Sequence, residues 1–279
     1  MLFRSPNAKI NLGLRITSKR PDGYHNLDTV FYPIELRDVL EVIKVQKNND
    51  ASIVVTGKEI QGPAEKNLCL KAYQLIKEDH PDITGIQIHL HKSIPMGAGM
   101  GGGSADGAHM IKLLNAVFNL GLNEEKMSKY ALKLGSDCPI FIKNKPCYAT
   151  GRGELLEEMN IDLSGFYLLI VSPGIHVSTA EAFEKIIPNT SIKTCKEIIQ
   201  LPIEKWKDHL INDFETTVFE SHPVLKSIKE KLYNMGAMYA SMTGTGSTLF
   251  GIFKEKPAFE NVFDEKFEVN LIHAKNQHR

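Results

Sequence analysis

Pro95-Met96-Gly97-Ala98-Gly99-Met100-Gly101-Gly102-Gly103-Ser104-Ala105 is the stretch whose reading decides the fold. From Gly97 to Gly103 every residue except Met100 is Gly or Ala, so backbone N–H groups can approach a ligand closely. Just upstream, Ile86, Ile88 and Leu90 alternate with Gln87, His89 and His91, the period of a half-buried strand. Downstream, Met110, Ile111, Leu114, Val117 and Phe118 recur at helical spacing. Strand, glycine loop and helix in that order make an anion site, because the helix N-terminus adds the positive end of its dipole. Phosphate binding is the functional expectation. A flexible or close-packed connector is the plain alternative.

Three familiar phosphate motifs fit poorly. Residues 97–102 spell G-x-G-x-x-G, but about 20 residues further on stands Asn123-Glu124, a helix cap rather than an acid ending a second strand. No Lys occurs between Ser93 and His109, which removes the Walker A pattern. His-Arg-Asp and Asp-Phe-Gly are both absent, so the protein-kinase signature fails. Ser104 at a strand–helix turn invites a nucleophile, yet Asp106 stands where the elbow of a serine hydrolase needs Gly. His89 and His91 share a strand face and read as a polar outer surface rather than metal ligands.

Outward from the loop the pattern stays mixed. Ile10, Leu12, Leu14 and Ile16 alternate as a strand, which leaves Lys9 and Asn11 on its other face. Pro21-Asp22-Gly23 is a turn that delivers Tyr24 and His25. Further strands are expected over residues 28–33, 38–45, 140–142, 166–171, 237–242 and 249–253. Helices are expected over 67–78, over 124–134 between Asn123 and Gly135, and from Pro223 to Gly236. A second small glycine loop is Thr243-Gly244-Thr245-Gly246-Ser247. The mixture with hairpin-like connections predicts an α+β fold.

The 279 residues carry 33 basic and 33 acidic side chains, a net charge of zero. Nucleic-acid binding is not expected, since it draws on clustered Lys and Arg. A small anionic ligand needs only a local site. Hydrophobic residues at 42% and charged residues at 24% are ordinary for a globular protein. The uncharged run 232–253 is rich in Ser, Thr and Gly, so no membrane span is expected. Cys69, Cys138, Cys147 and Cys195 form no Cys-x-x-Cys pair and read as reduced thiols, and the strand-like pattern starting near Met1 leaves no signal peptide. The expected location is cytoplasmic.

The loop from Pro95 to Ser104 resembles the ATP loop of the GHMP small-molecule kinases, and 242–247 resembles that family's C-terminal glycine motif. Ala8-Lys9-Ile10-Asn11-Leu12 and Arg20-Pro21-Asp22-Gly23-Tyr24-His25 narrow the resemblance to the branch acting on a cytidine-diphosphate-linked methylerythritol. Ala105 departs from the Ser common there. The resemblance implies two domains, an ATP-binding one over 1–155 and a C-terminal one over 156–279, with the active site in the cleft between them. It implies transfer of the ATP γ-phosphate to the acceptor's 2-hydroxyl in isoprenoid precursor synthesis. Lys9 and Asp137 take the catalytic roles, and residues 95–105 bind ATP. Tyr24, His25 and Phe183 meet the cytosine, while Asn11 and Thr179 lie near the rest of the acceptor. Mg2+ is expected with ATP, without assigned protein ligands. A nucleotide-binding module without catalysis is the competing expectation.

Overall fold

The computed structural model describes residues 1–45, 50–60, 62–184, 186–188 and 193–274. The chain begins with β1 (Leu2–Arg4), β2 (Asn7–Lys19), β3 (His25–Arg37), β4 (Val39–Lys44), β5 (Ser52–Gly57), α1 (Leu68–Asp79), β6 (Ile86–Lys92) and α2 (Gly102–Phe118). It continues through α3 (Glu124–Leu134), α4 (Cys138–Lys143), β7 (Cys147–Thr150), β8 (Leu155–Glu158), β9 (Tyr167–Ser172) and α5 (Thr179–Glu184). Then come α6 (Cys195–Ile198), α7 (Trp206–His209), α8 (Phe214–Ser221), α9 (Pro223–Asn234), β10 (Tyr239–Met242), β11 (Leu249–Phe253) and β12 (Glu268–His273). Among the described residues no helix is long and apolar enough to cross a membrane.

The chain folds as two compact units. The first comprises Met1–Ala8, Leu36–Met96 and Gly101–Asn144; the second comprises Lys9–Glu35, Gly97–Met100 and the chain from Lys145 onward. The division expected at residue 155 thus compares with a discontinuous one. Most of β2 and β3 groups with later sequence because β3 pairs with β7 and Leu14 bridges to Asn212.

In the first unit, four strands form a sheet in the order β1-β4-β6-β5, with β5 parallel to β6 and the other pairs antiparallel. β6 alternates as its sequence predicts: Ile86, Ile88, Leu90 and Lys92 are buried while Gln87, His89 and His91 are exposed. The buried face meets α2, which also packs against α1, α3 and α4. Close approach of α1 needs Gly107, where a β-carbon would come within 2.9 Å of Leu68 Cβ. The expected cap of α3 is present, with Asn123 Oδ1 accepting from the Lys126 N–H at 2.9 Å.

One expected element is different. Residues 140–142, expected as a strand, lie within the buried helix α4. A short apolar run has no period that separates a strand from a buried helix. Pro139 in the first turn, where a missing N–H costs nothing, and Asn144 closing the helix at φ 55° favour the helix.

In the second unit, the sheet β10-β11-β9-β12 is antiparallel throughout, and β9 is central enough for Leu168 to Ser172 all to be buried. α9 packs on β10 and β11, placing Leu225, Ile228 and Leu232 with Leu169, Val171, Phe214, Met242 and Leu249. Leu14 and Ile16 of β2 enter the same cluster, so the strand that starts at Asn7 is anchored in this core. The remaining sheet has the order β2-β3-β7-β8.

If α4 is an obligatory part of the first core, Phe141→Ala should lower unfolding free energy by about 3–5 kcal/mol. Urea denaturation of the two proteins measures the difference, and a midpoint unchanged by the substitution would contradict the packing described.

Candidate active site

The glycine loop turns by alternation. Gly97, Gly99 and Gly101 have φ of 68°, 81° and 71°, while the residues between them stay on the ordinary side. Such alternation aims successive N–H groups at one concavity, an anion nest. α2 begins at Gly102 with no acid in its first turn to offset the positive end of its dipole.

Within the second unit, residues 97–100 lie against the second glycine loop. A β-carbon on Gly99 would fall 1.9 Å from the Thr243 carbonyl oxygen, and one on Gly246 would fall 2.2 Å from the Ala98 carbonyl carbon. No side chain fits at either position. Thr243 Oγ1 lies 3.2 Å from both the Gly99 carbonyl and Asn11 Oδ1, which share its one hydrogen.

Lys9 is set on this junction. Its N–H donates to the Met100 carbonyl at 3.0 Å, extending the β2 backbone onto the loop. Its ammonium donates to Asn11 Oδ1 at 2.7 Å and to the Gly99 carbonyl at 3.0 Å, and it lies 5.1 Å from the Phe31 ring centre. Both faces of this stretch of β2 are covered, leaving Lys9 2% and Asn11 1% exposed. The Asn11 carboxamide also accepts from Thr243 Oγ1 at 3.2 Å and from the Gly244 N–H at 3.0 Å. It donates to Thr29 Oγ1 at 2.9 Å. Expected beside the acceptor, Asn11 is therefore occupied by groups of the chain itself.

The residues expected to meet cytosine sit on the same unit. Tyr24 is exposed, its N–H is held by Asp22 Oδ1 at 3.1 Å, and the Arg152 guanidinium lies 4.6 Å from its ring centre. His25 stacks on Phe183 at 5.0 Å and 23°, and Phe183 meets Phe214 edge-on at 4.8 Å. Burial, helped by Lys19, lowers the His25 pKa, which keeps the imidazole neutral at neutral pH. Thr179 is exposed, with its hydroxyl 3.2 Å from that of Thr245. Sequence reasoning named Thr243 only as part of the second glycine loop and gave no role to Arg152, which stands between Gly151 and Gly153.

In the first unit, Asp137 is half-buried at the N-cap position of α4, with φ −85° and ψ −8°. The next residue, Cys138, has Ser104 of α2 as a hydrogen-bond partner, so the start of α4 is fastened beside the start of α2. Burial pushes the Cys138 thiol up to about 12, which leaves it inert at neutral pH. Among the described residues no three His, Cys, Asp or Glu side chains gather as a metal site.

Comparison with known proteins identifies the family. The family model described as "GHMP kinases N terminal domain" matches residues 67–145, and "GHMP kinases C terminal" matches 203–265. A solved Methanococcus jannaschii mevalonate kinase superposes with a TM-score of 0.72 over 99% of this chain and 98% of its own, at 16% identity, and so shares the fold. A crystal structure of 4-(cytidine 5'-diphospho)-2C-methyl-D-erythritol kinase gives a TM-score of 0.77 at 30% identity, covering 90% of each chain. The 4-diphosphocytidyl-2-C-methyl-D-erythritol kinase of Bacteroides fragilis is 50% identical over 249 residues, 89% of this chain and 90% of its own. The fold class is thus α+β of the GHMP type. The chain belongs to the 4-diphosphocytidyl-2-C-methyl-D-erythritol kinase family of GHMP kinases.

Gly97 and Gly99 separate backbone strain from collision. Both have positive φ, but the nearest atom to a Gly97 β-carbon is His176 Nδ1 at 3.7 Å. Gly97→Ala should cost about 1–2 kcal/mol of stability, the left-handed penalty alone. Gly99→Ala should cost distinctly more and weaken binding of an ATP analogue. Thermal melts with and without the analogue test both, and equal losses would remove the role given to the Gly99–Thr243 contact.

Proposed function

We propose that this chain transfers the γ-phosphate of ATP to the 2-hydroxyl of 4-(cytidine 5'-diphospho)-2-C-methyl-D-erythritol, on the non-mevalonate route to isoprenoid precursors. The observation that carries this reading is the anion nest at Gly97, Gly99 and Gly101 with the Lys9 ammonium fastened to its backbone. The acceptor is taken from the names of relatives at about half identity. A reaction that consumes ATP fits a cytoplasmic location.

Phosphoryl transfer asks for positioning and charge stabilisation. The N–H groups of the loop and of the first turn of α2 hold polyphosphate oxygens. Lys9 offsets charge as the bond from phosphorus to the bridging oxygen breaks and ADP leaves. Asn11 holds Lys9 in place. Asp137 accepts the proton of the attacking hydroxyl, or orients it, as the new oxygen–phosphorus bond forms. Tyr24, backed by Arg152, stacks on cytosine, with the neutral His25 at the base edge and Phe183 beside it. Thr179 serves the acceptor. Mg2+ brought with ATP would be held mainly by phosphate oxygens and water and would offset polyphosphate charge.

Mass spectrometry after incubation with ATP and the cytidine diphosphate alcohol should find ADP and a singly phosphorylated acceptor. Asp137→Asn should lower kcat while leaving ATP-analogue binding near normal. Lys9→Ala should lower kcat by about 10²–10³-fold, the scale of a lost preorganised donor. Normal turnover in either variant would refute that residue's role. Tyr24→Ala should raise the acceptor KM roughly 5- to 150-fold with the ATP KM unchanged, on the scale of one base–aromatic stack. Equal kcat/KM for cytidine and uridine acceptors would refute recognition through the base.

A further inference from the structure

Lys92, Asp38 and Asp106 form a buried charged triad in the first unit. Lys92 is the last residue of β6, Asp38 joins β3 to β4, and Asp106 lies in the second turn of α2. The Lys92 ammonium donates to Asp38 Oδ2 and, at 2.8 Å, to Asp106 Oδ2. These side chains are 0%, 0% and 3% exposed for Lys92, Asp38 and Asp106. Asp38 Oδ1 accepts the N–H groups of Ser93 at 2.6 Å and Ile94 at 2.9 Å, the two residues that lead into Pro95. One ammonium therefore joins the segment entering the glycine loop to the helix leaving it. The fit is close, since a β-carbon on Gly102 would fall 2.9 Å from Ile94 Cγ2 and 3.3 Å from Lys92 Nζ.

Stability does not explain this cluster. Desolvating ions costs more than their pairing returns, and apolar residues of similar volume often hold a fold as well or better. Asp106 shows the cost: its Oδ1 is buried with no partner. Burial raises its pKa, with Lys92 opposing and Asp38 adding to the rise. Burial alone would lower Lys92, but Asp106 and Asp38 outweigh it and the net shift is upward. What the triad supplies is direction. An ammonium with three donors, gripped by two carboxylates, fixes where both stems of the loop stand. A nest binds phosphate only while its N–H groups converge, and a misplacement of about 1 Å can cost on the order of 10²-fold in rate.

We propose that Asp38, Lys92 and Asp106 are positioning residues for the ATP loop, holding residues 93–94 and α2 at the separation that keeps the nest open for phosphate. The proposal rests on the ATP reading given above. Asp106→Ala cuts the tie to α2 and leaves Lys92 paired with Asp38, while Asp106→Asn keeps an acceptor for the ammonium. Isothermal titration with the non-hydrolysable analogue AMP-PNP should show its Kd about tenfold higher in the Ala variant, a loss of about 1.4 kcal/mol. The Asn variant should recover most of that affinity. The acceptor KM should hold within about threefold, and the thermal midpoint should hold in the Asn variant, which keeps the contact to Lys92. Asp106→Ser, which shortens the reach to Lys92, makes the same comparison if the Ala variant does not fold. Wild-type affinity for AMP-PNP in the Ala variant overturns the positioning role alone. Loss of ATP and acceptor affinity together with a lower midpoint also overturns it, by making the triad an ordinary structural element. No AMP-PNP binding by the wild-type protein overturns the kinase reading and this proposal with it.

Discussion

Two stretches of backbone in the second unit pass closer than any β-carbon allows, and the arrangement of Lys9 depends on that approach. Residues 98–99 touch 243–246 through carbonyl and N–H groups, with glycine at both Gly99 and Gly246. The contact brings the Gly99 carbonyl within reach of both Thr243 Oγ1 and the Lys9 ammonium. Asn11 then closes the set from β2 by taking Lys9, Thr243 and Gly244 on one oxygen. Each bond is modest, near 1 kcal/mol net, but leaving one of these buried groups unpaired costs more. The cluster therefore holds as a unit or not at all.

The two buried lysines show two uses of one side chain. Lys92 is gripped by two carboxylates. Lys9 donates to a carboxamide and to a backbone carbonyl, which orient its ammonium. An ammonium oriented in that way is the kind of group that a developing phosphoryl charge recruits. Asn11 thus fixes where the Lys9 ammonium stands.

The fold by itself names no acceptor. Mevalonate kinase shares the architecture at 16% identity, so the sheets and α2 do not say which alcohol is phosphorylated. At the turn 21–23, Asp22 holds the Tyr24 N–H and Arg152 covers the Tyr24 ring. A ring backed in this way is a platform with little rotamer freedom left to lose. The stacked pair of His25 and Phe183 adds a second aromatic surface on the same unit.

The sequence by itself determined what repeats locally. The alternation of β6, the capped helix α3 and the order strand–glycine loop–α2 were all legible, because their signals are periods and caps within a few residues. Residues 140–142 were not, since three apolar residues fit a strand or a buried helix equally and packing in the first unit decided. Nor could the sequence show that Lys9 and Asn11 are buried on both sides, for strand alternation names two faces without saying what covers them. The bonds that define the site join Asn11 to Thr243 across 232 residues, and Lys92 to Asp38 across 54. Chain separation of that length leaves no periodic trace, so only tertiary structure, by closing those distances, decided which of these groups meet.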